Sequence, residues 1–399
     1  MPLTPYLHIL RIPRMATSTL VAVLARLPMT ATGVTLTLHV VGTLGHGYGA
    51  AGLVGTATTA GTALAAPLLG RTIDRYGLRP VVVACGAVST TFWIAAPHLP
   101  YTVLLVAALP AGALLIPAGP IARQVIAALV PVRQRRTAYS LDSILVELTF
   151  MTGPALGILV STQVSSTAAL TGIGLLFGAC AGALYVVNPP VRTPDEAGRP
   201  ARGAVRPPLT SWLGRRMIAT LLVATGALFV LVGAELAALA TLRGSGEVGW
   251  TGVVIAVMCL ASLVGGIVHG VARRSASQLT LMVTLAALTV PAALVAQPWW
   301  LLALVLVPSN LVCAPTLAAT TERVSQLAPP AVRGEAMGVQ DSATRLGLAL
   351  GSPVVGFVMD HTSPGMGFVA AGVGGLAFAA AGAALSRRTT SDEIAPQPA

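Results

Sequence analysis

Apolar residues come in long stretches along this chain, and polar ones gather in the short intervals between them. A helix that crosses a bilayer needs about 20 mostly apolar residues. Stretches of that kind lie near 17–44, 49–70, 79–97, 101–123, 137–161 and 167–188. A second set lies near 214–242, 249–271, 277–296, 299–321, 335–359 and 366–386. The pattern predicts an all-α polytopic membrane protein with twelve spanning helices in two sets of six. Between the sets, the stretch from Asn188 to Ser211 carries Pro189, Pro190, Arg192, Pro194, Arg199, Pro200, Arg202, Arg206, Pro207 and Pro208. Proline breaks helices and arginine holds a chain in water, so this stretch reads as a solvated linker.

The arginines orient the spans, because cytoplasmic loops of membrane proteins carry an excess of basic residues. With the N-terminus in the cytoplasm, the first three inner segments hold Arg11, Arg14, Arg71, Arg75, Arg79, Arg133, Arg135 and Arg136. The linker and its exit add Arg192, Arg199, Arg202, Arg206, Arg215 and Arg216. The later loops and the tail add Arg273, Arg274, Arg323, Arg333, Arg387 and Arg388, while the outer loops hold only Arg243. A split of twenty to one places both termini in the cytoplasm, and it supports the helix count, since a missed span would swap the sides partway along. Arg26, Arg123 and Arg345 fall within or at the edges of spans. The expected organisation is an N-terminal six-helix bundle over 1–188, a cytoplasmic linker over 189–212, a C-terminal six-helix bundle over 213–386 and a cytoplasmic tail over 387–399.

The two sets are related. Asp142, Ser143, Pro154 and Gly157 of the fifth span recur as Asp341, Ser342, Pro353 and Gly356 of the eleventh, each 199 positions later. Pro110 and Pro117 of the fourth span recur as Pro308 and Pro315 of the tenth, each 198 positions later. Because each set holds an even number of spans, the repeats run parallel, related by an axis along the membrane normal.

Composition narrows the chemistry. The chain has 399 residues, 55% of them hydrophobic and 9% charged, with a mean hydropathy of +0.81. Soluble domains carry roughly 25% charged residues, and disordered chains are poor in apolar ones, so both classes are excluded. All 24 basic residues are arginine. Without lysine there is no P-loop for ATP and no Schiff base for pyridoxal phosphate. The net charge of +11 is spread over short clusters between apolar runs, not over one soluble face, so nucleic acid is not an expected partner. Cys85, Cys180, Cys259 and Cys313 lie inside apolar runs without C-x-x-C spacing, as small core residues do. The six histidines (8, 39, 46, 98, 269 and 361) form no H-E-x-x-H pattern, so neither a metal, a cofactor nor an intramembrane enzyme is expected. Gly47-Tyr-Gly49-Ala-Ala-Gly52 fits G-x-G-x-x-G but follows a membrane helix instead of a strand, and reads as a flexible hairpin. No A-x-A-type cleavage site follows the first apolar run, so a removable signal peptide is not expected. The Ala- and Arg-rich, lysine-free usage points to a GC-rich bacterial genome and hence to a bacterial inner membrane.

The loop after the second span reads Gly70-Arg-Thr-Ile-Asp74-Arg75-Tyr-Gly77-Leu78-Arg79. With twelve spans in two parallel halves and a basic cytoplasmic linker, this stretch resembles the G-x-L-A-D-R-x-G-R-K motif of the major facilitator superfamily. Gly70, Asp74, Arg75, Gly77 and Arg79 match; Thr72, Ile73 and Leu78 depart from it. The corresponding loop of the second half, Gly270-Val-Ala-Arg273-Arg274, is a degenerate copy. The resemblance implies that Asp74 latches the two halves by pairing with the N-terminus of the eleventh helix, around Met337 and Gly338, when the site faces outward. The alternative reading of these charges is that they keep the loop in the cytoplasm. Gly153-Pro154-Ala-Leu-Gly157 resembles the fifth-helix motif of the superfamily's drug:proton antiporters, with Thr149 and Ile158 in place of its outer glycines. A Pro-kinked packing helix without directional meaning is the plainer reading of the same residues.

Ionisable residues in a bilayer are costly and mark function by default. Glu147 lies about 15 Å into its span at helical rise, near the midplane, and Glu235 lies nearer the outer end of the seventh. A desolvated carboxyl favours its protonated form, so both are proton-coupling candidates; pairing of Glu147 with Arg26, Arg123 or Arg345 is the alternative. Asp142 is expected to be structural, within reach of Arg133, Arg135 or Arg136. Asp341 and Arg345, four apart, are expected to form an ion pair within one helix. The superfamily's deep fourth-helix arginine has no clear counterpart, since Arg123 lies at the cytoplasmic end.

By the same resemblance the substrate cavity is lined by the first, fourth, seventh and tenth spans, whose polar residues include Thr30, Thr35, His39, Thr225, Ser309, Asn310, Thr316 and Thr320. His39 is either a proton carrier or a hydrogen-bonded membrane histidine. Such a lining, thin in charge and aromatics, suits a neutral or weakly charged amphiphile. The expectation is a monomeric secondary transporter, exporting a small molecule against protons by rocking of its two bundles, with proton-coupled import as the alternative. A non-transporting receptor would leave substitutions of Glu147 and Asp74 without effect.

Overall fold

The computed structural model describes residues 4–193, 207–272, 276–295 and 297–394. Much of the linker (194–206), Arg273 and Arg274 lie outside the described residues, as do the side chains of Arg387 and Arg388. Described residues form helices throughout, without a strand. An eight-residue helix, α1 (Thr4–Arg11), precedes the spans. The first six spans are α2 (Met15–Gly42), α3 (Tyr48–Tyr76), α4 (Leu78–Ala95), the pair α5 (Tyr101–Ala113) and α6 (Ala118–Leu129), α7 (Arg135–Gln163) and α8 (Ser166–Val187). After a short α9 (Leu209–Trp212) come α10 (Arg215–Gly244), α11 (Thr251–Val271), α12 (Gln278–Thr289), α13 (Trp299–Leu327), α14 (Arg333–His361) and α15 (Met366–Ile394). Eleven spans are long and apolar enough to cross a membrane, and the shorter apolar stretch Gln278–Leu294 completes the series of twelve.

Two differences from the sequence reading stand out. Gly47 to Gly52 is not a hairpin: α3 starts at Tyr48, so these glycines belong to its cap and first turn. The fourth span is not one helix. It stops at Ala113 and restarts at Ala118, whereas its partner α13 runs unbroken through Pro308 and Pro315. Pro117-Ala-Gly-Pro120 carries a second proline, where α13 has Ala318. Two prolines three residues apart remove two N–H donors from one turn and push the residues before them out of helical geometry. Backbone freed this way is tolerated at membrane depth only where protein satisfies it. Here the Thr62 hydroxyl of α3 reaches the Gly112 carbonyl at 3.0 Å, and Ser89 of α4 donates to the Leu114 carbonyl at 3.3 Å.

The chain divides into two compact units. One comprises 1–138, 145–205 and 330–342; the other comprises 139–144, 206–329 and 343–399. Trp93, Leu104, Ile121, Leu170 and Phe177 lie in the core of the first. In the second, Phe229 and Phe378 meet at 5.7 Å between ring centres, and Met258, Leu302 and Phe368 form an adjoining cluster. Large apolar side chains such as Leu64, Val106, Val186 and Phe357 point outward, as a lipid-facing surface requires. Outside the spans, α1 buries Tyr6 and Ile9. Burial pushes the Tyr6 phenol up to about 12, with the Arg136 guanidinium pulling the other way. None of the four cysteines is in a disulfide.

Candidate functional site

The best-defined polar site lies in the first unit, where the end of α3 meets the start of α14. An α-helix leaves its first N–H groups without intrahelical partners and carries partial positive charge there. Asp74 supplies what that end lacks: Oδ1 accepts from the Gly334 N–H and Oδ2 from the Glu335 N–H, each at 2.9 Å. The partners come one turn before the expected Met337 and Gly338, because α14 begins at Arg333. Close approach makes this possible. A side chain on Gly70 would overlap the Gly334 carbonyl, one on Gly334 the Asp74 carboxylate, and one on Gly338 the Ala66 carbonyl. Two turns further along, Ser342 donates to the Ala63 carbonyl. Ala63, Ala66, Gly70 and Asp74 thus form one stripe of α3, facing Ser342, Gly338 and Gly334 of α14.

The rest of the motif holds the loop. Gly77 has φ +84°, and its N–H reaches the Ile73 carbonyl at 2.9 Å, closing α3 before α4 begins at Leu78. Left-handed backbone of this kind favours glycine. Arg79 donates from Nε to the Tyr185 carbonyl at 3.3 Å and lies 5.0 Å from the Tyr185 ring centre. This sets a positive charge at the C-terminal end of α8, where the helix dipole is negative. Arg75 is exposed and lies 5.1 Å from the ring centre of Tyr76.

Gly153 and Gly157 face α2. A side chain on Gly153 would meet the Thr30 hydroxyl, and one on Gly157 the Thr35 hydroxyl. Thr30 also donates across to the Thr149 carbonyl at 2.9 Å. Pro154 is accommodated inside α7, which continues to Gln163. The second unit uses a similar device: Thr225 of α10 donates to the Ala343 carbonyl of α14 at 3.0 Å, and Gly347 sits against the Thr225 carbonyl.

The candidate acids lie on three helices. Glu147 lies at the middle of α7 and Glu235 in the outer half of α10, both half-buried. Asp142 is buried. Arg135 caps the end of α6, its Nε at 3.1 Å from the Val130 carbonyl and Nη2 at 2.6 Å from that of Ala127. Asp341 stands beside Gly119 at the start of α6; Arg345 follows one turn later on α14. Of the cavity candidates, Ser309, Asn310, Thr316 and Thr320 on α13 are buried and bond to carbonyls three or four residues earlier in their own helix. His39 faces α8, with Nδ1 at 3.0 Å from the Ser166 hydroxyl.

One buried polar residue has no sequence signal. Gln124 of α6 is 1% exposed, and neither its amide oxygen nor its nitrogen has a hydrogen-bond partner among the described residues. No cluster of three or more histidine, cysteine or acidic residues suited to a metal occurs among the described residues.

Comparison with known proteins agrees with this architecture. The sequence profile of the Major Facilitator Superfamily matches residues 19–280 and 245–399. The chain therefore belongs to the Major Facilitator Superfamily, a family of transporters and not of enzymes. No curated relative matches it in sequence. Among solved structures, it is similar to the human organic anion transporter MFSD10 (TETRAN), with a TM-score of 0.73 at 18% identity, covering 93% of this chain and 99% of that one. A bacterial homologue of the iron transporter ferroportin in an outward-facing state gives 0.72 at 13% identity, again over 93% of this chain and 99% of the other. The E. coli fucose:proton symporter FucP gives 0.69 at 13%, over 94% of this chain and 99% of the other. At such identities the likeness is one of fold.

Proposed function

We propose that this protein is a secondary exporter of a bacterial inner membrane, releasing a small amphiphilic molecule outward in exchange for protons. The export reading is carried by the resemblance of Gly153-Pro154-Ala-Leu-Gly157 to the antiporters' fifth-helix motif. Gly153 and Gly157 seat α7 on α2 at Thr30 and Thr35, beside a helix expected to line the substrate path. Glu147 and Glu235 are the proton-carrying candidates, since a carboxyl in low dielectric takes up and releases protons readily as access alternates. Asp74 holds the start of α14 in one state of the cycle and lets it go in the other. Substrate, protons and the bilayer are the partners; neither ATP nor nucleic acid takes part, and the monomer is the working unit. Thr149 and Ile158 stand where the antiporter pattern has glycine, and that departure keeps proton-coupled import of a metabolite as the second reading.

The test is accumulation of ethidium and antibiotics in an efflux-deficient bacterial host. Cells carrying the protein should accumulate less than controls, and the difference should vanish with Glu147→Gln at equal expression. Reduced accumulation that survives Glu147→Gln keeps the exporter and removes Glu147 from the coupling step. Raised accumulation driven by an inward proton gradient decides for import.

A further inference from the structure

We infer that His39, Ser166 and Thr43 form a proton-binding site open to the outer surface, distinct from the acids of the bilayer interior. His39 lies three residues from the outer end of α2 and is wholly buried. Its Nδ1 is 3.0 Å from the Ser166 hydroxyl at the first residue of α8, and the same oxygen is 3.0 Å from the Thr43 hydroxyl. Thr43 is exposed. An unbroken line of exchangeable protons thus joins outer water to a buried imidazole.

The other side of the ring is the second observation. Nε2 is buried and has no hydrogen-bond partner among the described residues. One turn earlier on α2, the Thr35 hydroxyl is buried in the same condition, against Gly157 of α7. A histidine serving only to tie α2 to α8 would need one nitrogen, and leaving the other unsatisfied costs about 1–3 kcal/mol. A glutamine could make the tie without a group that titrates. Ser166 faces the ring from α8, and the exposed His98, in the turn after α4, acts on it electrostatically. His46, in the loop after α2, is exposed, and its ring lies tilted against Tyr101 with centres 4.5 Å apart. No carboxylate is among the described groups that act on His39, so a proton taken up there has no neighbouring anion to trap it.

Uptake balances without any other reactant. A hydronium ion gives its proton to the Thr43 oxygen, the Thr43 hydroxyl proton moves to Ser166, and the Ser166 hydroxyl proton moves to Nδ1. Two O–H bonds and one N–H bond form as three O–H bonds break. Both hydroxyls are restored, and the ring becomes an imidazolium that keeps its buried Nε2–H. The role of this site in the transport cycle rests on the proton-coupling reading above; its existence does not.

The experiment uses the full chain, labelled with 15N at histidine and reconstituted in liposomes with a fixed inner buffer. The outer medium is stepped between about pH 8 and about pH 4.5, a range spanning histidine titration. The His39 resonance, identified by its loss in His39→Gln, should move from the neutral to the protonated position with outer pH. In Ser166→Ala that movement should be lost while the other histidines titrate as before. A His39 signal that stays fixed, follows the inner buffer, or moves unchanged in Ser166→Ala overturns the proposal. Ethidium transport by the same liposomes under an imposed pH gradient separates the two ideas: titration at His39 with transport that ignores the gradient leaves this site standing and removes proton coupling.

Discussion

Asp74 was singled out by the resemblance of its loop to the superfamily motif, but its exact partners were not legible. Which N–H groups it meets depends on where α14 starts, and a helix boundary shifts by a turn without changing the apolar pattern. The two charge-assisted hydrogen bonds predict a graded response. Asp74→Ala removes both acceptors and should lower stability by about 2 kcal/mol or more, while Asp74→Asn keeps one and should fall between. Thermal unfolding of the purified protein measures both. Gln124 predicts the opposite sign. Burying an amide without partners is unfavourable, so Gln124→Leu should raise stability by about 1 kcal/mol; a loss in the same melting experiment would show that the amide is in use. No periodicity marks Gln124, Ser166 or Thr62, because their importance comes from neighbours on other helices.

At the scale of elements, the apolar runs located all twelve spans, with starts within a few residues and several ends six to eight residues short. The short α1 was missed because eight residues with one apolar face make too weak a pattern. The broken fourth span was missed for another reason. The duplication suggested that Pro110 and Pro117 behave as Pro308 and Pro315 do, and the difference lies in Pro120, opposite Ala318. Pro120→Ala should therefore let helix run further across the interval. Hydrogen exchange at residues 114–119 would then slow relative to the unaltered protein, and unchanged exchange would mean that Thr62 and Ser89 hold the break open without help.

For the whole molecule, the proposed cycle requires the α3–α14 stripe to come apart and reform. Gly338 packs its backbone against the Ala66 carbonyl with no room for a side chain. Gly338→Val should therefore hold the stripe open, and ethidium efflux should fall at equal expression. Efflux that survives Gly338→Val would show that the stripe need not close during the cycle. The motif resemblance pointed to a contact at the α3–α4 loop. The extension of close packing about three turns along α3, through Ala63 and Ser342, needed the register of two helices and was not readable from one.

The break in the fourth span also bears on how the protein is made. Thr62 and Ser89, which satisfy its exposed carbonyls, precede it in the chain, so they are already present when that span leaves the ribosome. The Asp74 carboxylate must wait for amides 260 residues downstream, tens of seconds at about 5–20 residues per second. A nascent chain cut short before the eleventh helix should therefore insert its first four spans correctly, with the motif loop still unanchored.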